Sequence, residues 1–249
     1  MFSRFLKGAL ALAATAVAVA ACAPSEVEVP DEDAPDVAEA LTPGSVAAMI
    51  TSPQCSTRVV RGLTEQLVAE LACIKPGALT SIEGMSGIEL DEDAFPYLQT
   101  PAAKALANAQ RELGSPIKVN SALRTIPQQF LLYRWYKNGR CGISLAAKVG
   151  ESNHEEGLAV DLDSHGTSVR RAMSRRSYAW LGASDPVHFD YNGSDGVAIQ
   201  GASVRAFKRL WNRNHPEKPL TVNDTYDAKT ESYLRESPAA GFPIGARCD

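Results

Sequence analysis

The chain has 249 residues, 45% of them hydrophobic and 22% charged, enough to bury a sizeable core in one domain with a small second one beside it. The formal net charge is −4, so the basic footprint of a nucleic-acid binder is missing and no nucleic-acid partner is expected.

The N-terminal segment MFSRFLKGALALAATAVAVAAC carries Arg4 and Lys7 ahead of an apolar run from Gly8 to Ala21. A charged start before a short apolar stretch has the pattern of an export signal, and the run is too short for a confident membrane-spanning helix. Its end, Val19-Ala20-Ala21-Cys22, resembles a bacterial lipobox, which implies cleavage before Cys22 and a lipid on that cysteine. The alternative is an ordinary signal peptide with Cys22 incidental. A lipid anchor implies a protein held at the outer face of the cytoplasmic membrane. Ala23 after the cysteine, rather than Asp, suits the outer membrane in a cell that has one.

Of 25 basic residues, loss of Arg4 and Lys7 leaves 23 against 29 acidic ones, a net charge of −6. Residues 23–42 hold seven acids, Glu26 to Glu39, three prolines and no base, and read as a solvated tether. Four cysteines follow: Cys55, Cys73, Cys141 and Cys248. An even number in an exported chain suggests two disulfides, with three connectivities open. Cys55–Cys73 with Cys141–Cys248 is preferred, because the first pair brackets one helical segment. A four-cysteine zinc site is the rival, but no Cys-x-x-Cys pair occurs.

Within that segment Val59, Val60, Leu63, Leu67, Val68 and Leu71 recur at helical spacing, and Pro76-Gly77 ends it. A second helix starts at Thr100-Pro101 and stops at Gly114. Residues from Ile117 alternate as a strand, and Thr125 caps a helix closed by Gly139. In the stretch 157–163, Leu158, Val160 and Leu162 share one strand face, Ala159, Asp161 and Asp163 the other. Thr167 to Leu181 reads as a helix. A short strand then puts His188 and Asp190 on one face and Phe189 on the other. After Asn192, residues 203–216 and 228–237 read as short helices.

The stretch SNHEEGLAVDLD, residues 152–163, and the stretch DPVHFDY, residues 185–191, can hold one metal ion between them. His154, Asp161 and His188 supply two imidazole nitrogens and one carboxylate, a donor set suited to zinc with one position left for water. Gly157 permits the turn that brings His154 and Asp161 together. His165 and His215 read as ordinary surface or core histidines, Asp163 and Asp190 as supporting or surface groups.

Ser152-x-His154-x-x-Gly157-x-Ala159-x-Asp161 resembles the S-x-H-x-x-G-x-A-x-D motif of peptidase family M15, which includes the VanY-type D-alanyl-D-alanine carboxypeptidases. Asp185-Pro186-Val187-His188 is similar to the family's second motif, an acid two residues from a histidine. The segment Ser121-Ala122-Leu123-Arg124-Thr125 resembles the family's Ser-Gly-Tyr-Arg segment. The likeness covers roughly residues 95–192. It implies one Zn2+ per chain held by His154, Asp161 and His188, with Asp185 as general base. It also implies substrate contacts from Arg124, Ser121 and Ser152, with Arg124 holding a substrate carboxylate. A structural salt bridge is the other reading of Arg124.

The residue types agree with that chemistry. Zinc activates water and polarises a carbonyl, a carboxylate can move the proton, and a guanidinium can grip both oxygens of a terminal carboxylate. Two departures bear on the substrate. The carboxypeptidases commonly have Glu and Trp where this chain has Asp185 and Val187, and Asp at this place resembles the L-alanyl-D-glutamate endopeptidases of the same family. Residues 204–234 resemble a small helical peptidoglycan-binding domain. The loop from Asn223 to Thr230 keeps an acid and the threonine of that domain's Asp-Gly-x-x-Gly-x-x-Thr pattern and lacks both glycines. A helical cap tied down by Cys248 is the alternative.

The expected fold is α+β: a small antiparallel sheet flanked by helices, of the hedgehog/D,D-peptidase zinc type, with a small helical domain after it. The expected organisation is a lipoprotein signal at 1–22, a tether at 23–42, a catalytic domain at 43–195 and a helical domain at 196–249. The expected activity is a monomeric D-alanyl-D-alanine carboxypeptidase acting on peptidoglycan stem peptides. The alternatives are the endopeptidase and a non-catalytic wall-binding lipoprotein.

Overall fold

The computed structural model describes residues 42–248. The expected export signal with Cys22, and the expected tether apart from residue 42, lie outside the described residues. The elements in order are α1 (Val46–Met49), a 3-10 turn (Thr57–Val60), α2 (Arg61–Ile74), β1 (Leu79–Ser81), β2 (Ile88–Leu90), β3 (Tyr97–Gln99), α3 (Thr100–Leu113), β4 (Ile117–Ser121), α4 (Ile126–Lys137), β5 (Ala159–Leu162), α5 (Thr167–Ser174), β6 (Tyr178–Trp180), β7 (His188–Tyr191), α6 (Gln200–Asn214) and α7 (Ala228–Glu236).

The fold is α+β, with two small sheets flanked by helices. The larger sheet has the order β2-β4-β5-β7-β6, and β1 pairs with β3 apart from it. The expected purely antiparallel sheet is corrected at one edge, where β2 runs parallel to β4; the other pairs are antiparallel. The α3 crossover between β2 and β4 is long enough to return the chain in the same direction.

Alternation sorts the sheet into two faces. Ile117, Val119, Val160, Leu162 and Phe189 are buried against α3 and α5. The opposite face carries Asp161, His188 and Asp190, so the apolar residues that fix the register also fix which polar groups meet.

The helix expected over 167–181 is corrected. It ends at Ser174, and Tyr178–Trp180 form the edge strand β6 on β7. Ser177 takes φ 63°, which breaks the helix, and Tyr178 is buried with its hydroxyl donating to the Ala102 carbonyl at 3.0 Å.

A second core joins α1, α2, α4, α6 and α7 around Leu63, Leu67, Trp135, Phe207 and Trp211. The helices after residue 196 therefore share their core with α2 and α4. Gly62 allows the close approach: a Cβ there would lie 2.2 Å from the Ala240 carbonyl oxygen. Glu70, fully buried on α2, is neutralised by Arg209 at 2.6 Å and Arg213 at 3.0 Å on α6, and accepts from the Arg247 amide at 3.1 Å. A buried carboxylate is tolerable only with such partners.

The disulfides are Cys55–Cys141 and Cys73–Cys248, with Cα separations of 5.2 and 4.8 Å. This corrects the preferred pairing. Cys55 precedes α2 and Cys73 lies in its last turn, so a straight helix holds them about 20 Å apart, far beyond bridging distance.

Candidate metal centre

Ser121, Asp161 and His188 occupy one row across β4, β5 and β7, Asp161 being the register partner of both neighbours. A register shift between Val119 and Ser121 brings Ser121 opposite Asp161. It leaves Asn120 as the extra residue of a bulge, and both residues face the same cleft.

His154 comes from the turn ahead of β5. The turn closes with the Gly157 amide donating to the His154 carbonyl at 3.0 Å, and Gly157 has φ +64°. A Cβ at Gly157 would lie 3.1 Å from Leu79 and 3.2 Å from the Gln99 nitrogen, so both conformation and space favour glycine. The Ser152 hydroxyl accepts from the His154 amide at 3.3 Å. Ser152 is buried, and its hydroxyl is used inside the turn.

The three donors converge. His154 Nε2 lies 3.2 Å from His188 Nδ1 and 3.3 Å from Asp161 Oδ1, and His188 Nδ1 lies 3.1 Å from that same oxygen. A tetrahedral ion with bonds of about 2.0–2.1 Å separates its ligand atoms by about 3.3 Å. The three near-equal edges thus match one face of such a centre, and His154, Asp161 and His188 form a candidate metal-binding triad. No other group of three or more potential ligands is found among the described residues.

The outer hydrogen bonds fix the rings. His154 Nδ1 is 2.7 Å from the Ala122 carbonyl, which can only accept, so this nitrogen carries the proton and Nε2 offers a lone pair. Burial pushes the His154 pKa down, as a neutral ligand requires, and the nearby Arg124 charge acts in the same direction. His188 Nε2 meets Asp190 Oδ1 at 2.8 Å, and Asp190 is held in turn by the Asn153 side-chain amide at 2.9 Å. Burial opposes charge on His188, but the hydrogen bonds and charges of Asp161 and Asp190 outweigh it and raise its pKa to about 9. Burial alone would raise the Asp161 pKa. The two histidines and Arg124 together hold it well below the usual carboxylate range.

Arg124, Ser121 and Asp185 line a cleft of about 410 Å³ that includes Asp161. The Arg124 guanidinium lies 3.7 Å from Asp161 Oδ2 and donates to Gln129 Oε1 at 3.3 Å. Its buried Nε has no partner among the described residues. His165 and His215 stand apart from the triad; His215 stacks on Trp211.

The turn carries supports that the motifs did not reveal. Glu155, 1% exposed, accepts from the Gly150 and Ser152 amides at 2.9 and 3.3 Å, and burial raises its pKa to about 8. Glu156 accepts from the Ile199 and Gln200 amides at the start of α6, at 3.3 and 3.2 Å. Gln99 donates to the carbonyls of Glu156 and Val197 at 2.8 and 2.7 Å and accepts from the Val197 amide at 2.8 Å. The metal-site turn and the start of α6 are thereby clamped together.

Comparison with protein-family models finds no match for this chain, and comparison with curated proteins finds none either.

Proposed function

We propose that the protein is a zinc peptidase that hydrolyses peptidoglycan stem peptides, acting as a D-alanyl-D-alanine carboxypeptidase of the VanY type from a lipid anchor in the cell envelope. The observation that carries this reading is the His154–Asp161–His188 triangle beside a cleft that also holds Arg124 and Asp185. The α+β architecture, with the triangle on one face of a small sheet, is compatible with the hedgehog/D,D-peptidase type of fold.

Two imidazoles and a carboxylate suit a borderline divalent ion, and zinc bound there supplies Lewis acidity to the scissile carbonyl and brings the pKa of water near neutrality. Asp185 accepts the proton of the attacking water and returns it to the leaving amine. Arg124, already oriented by Asp161 and Gln129, presents its guanidinium to the terminal carboxylate of the peptide. Asp190 and Ala122 hold the two imidazoles in the ligating orientation.

The second reading is an L-alanyl-D-glutamate endopeptidase. Asp185 favours it, since an aspartate at this place resembles the endopeptidases, where the carboxypeptidases commonly have glutamate. Mass spectrometry of defined pentapeptide muropeptides incubated with the zinc-loaded protein, beside His154→Ala, separates the two. Loss of one alanine that the variant does not produce supports the carboxypeptidase. Cleavage between alanine and glutamate supports the endopeptidase. An unchanged substrate argues for a wall-binding protein without catalysis.

A further inference from the structure

We infer that the cleft has a second recognition point, in which the Asp93 carboxylate binds an ammonium group of the substrate; this rests on the peptidase reading above and specifies its substrate. Four charged side chains line the cleft: Asp93, Arg124, Asp161 and Asp185. Asp161 is committed to the triad and to Arg124. Arg124 and Asp185 have roles in that reading. Asp93 is left, and neither metal binding nor proton transfer uses it.

Asp93 is held as a ligand would be. It sits in the turn after β2, where its amide donates to Asp91 Oδ1 at 3.1 Å. The Ser56 hydroxyl donates to Asp93 Oδ1 at 2.5 Å, which leaves Oδ2 for another donor. Among the described residues no cation is paired with it. The neighbouring bases are engaged elsewhere: Arg58 with Glu92 at 2.7 Å, Arg61 with Glu65 at 2.9 Å and Lys118 with Asp91 at 3.3 Å. A half-buried carboxylate without a counter-charge gains most from a cationic ligand that brings its own donors.

The surroundings suit an ammonium on an aliphatic stem. Leu145, exposed on the rim of the same cleft, offers apolar contact to methylenes, and the buried rings of Phe95 and Trp135 back the cleft wall. The wall is tied in place by the Cys55–Cys141 disulfide, because Cys55 and Gly142 to Leu145 are all lining residues. Asp93 and Arg124 line the same cleft, so one peptide lying in it can meet both, with its C-terminal carboxylate at Arg124 and an upstream amine at Asp93. The substrate class that fits is a stem peptide whose diamino acid keeps its side-chain amine free; an acylated or cross-linked amine would lose this contact.

The test uses two synthetic peptides, Nα-acetyl-L-lysyl-D-alanyl-D-alanine and its Nα,Nε-diacetyl counterpart. Each is offered to the zinc-loaded protein and to Asp93→Asn, which keeps the shape and the acceptor for Ser56. Turnover is followed by alanine release and binding by calorimetry, and thermal unfolding checks that the variant folds. The wild type should favour the free amine by about ten- to a hundredfold, the effect of one charge-assisted hydrogen bond. Asp93→Asn should bring the free-amine peptide down to the level of the acetylated one. Equal turnover of both peptides by the wild type overturns the subsite and leaves the peptidase reading standing, as does a preference that persists in Asp93→Asn. Amine-selective binding that depends on Asp93 without alanine release keeps the subsite and removes the carboxypeptidase. Neither turnover nor selective binding overturns both.

Discussion

Asp161 and His188 face each other as register partners on adjacent strands, with Oδ1 and Nδ1 3.1 Å apart, while His154 reaches the same oxygen from a turn. Two of the three candidate ligands are therefore placed by sheet pairing and the third by a hydrogen-bonded turn.

Proton competition follows from this contact. His188 has its pKa raised to about 9 by Asp161 and Asp190, so below that pH a metal ion must displace the proton on Nδ1. Zinc affinity should rise about tenfold per pH unit toward pH 9, as chelator competition across that range would show. A flat profile would contradict the role of His188. In the metal-free protein the sign is opposite. The His188 contribution to stability is complete below its ordinary pKa of 6.5 and is lost as pH rises through about 9.

Asp185 lines the cleft and is not one of the ligands. Asp185→Asn should therefore lower turnover by about 10²–10⁴-fold and still bind one zinc per chain. Turnover and metal analysis on the same preparation decide this. Retained activity would assign the base elsewhere, and lost zinc would make Asp185 a ligand.

Glu156 links the metal-site turn to the start of α6 by accepting from the Ile199 and Gln200 amides. Glu156→Ala should destabilise the fold by about 1–2 kcal/mol, the usual loss of a helix cap, and weaken zinc binding through the turn. Glu156→Gln keeps a side-chain acceptor and should restore part of both. Thermal unfolding with and without zinc separates the effects: a clamp shows in both, a simple cap only in stability.

The Cys73–Cys248 bridge spans 175 residues and fastens the end of the chain to α2. Its removal by Cys73→Ser with Cys248→Ser should cost about 2–5 kcal/mol in denaturant unfolding. A smaller loss would mean that Glu70 and its arginines hold the C-terminal helices without it.

The triad was legible because its residues lie in two short stretches whose apolar neighbours alternate. Once Val160, Leu162 and Phe189 face the core, Asp161 and His188 must share the other face. Helices α3 and α4 were legible through Pro101, Gly114 and the Thr125 cap, which reads locally. The disulfide pairing was not, since it depends on where α2 sets its two ends. Strand β6 was hidden because an amphipathic helical pattern runs into it and the Ser177 backbone is invisible in sequence. Gln99 looked like any polar residue, because its partner at Val197 is 98 positions away.

The Cys73–Cys248 bridge closes the intervening chain into a covalent ring that contains His154, Asp161 and His188. A single backbone cut anywhere between the two cysteines leaves one molecule, with both halves of the metal triangle still joined. Nicking an exposed loop such as the one around Leu145, 56% exposed, would open the ring without separating its parts.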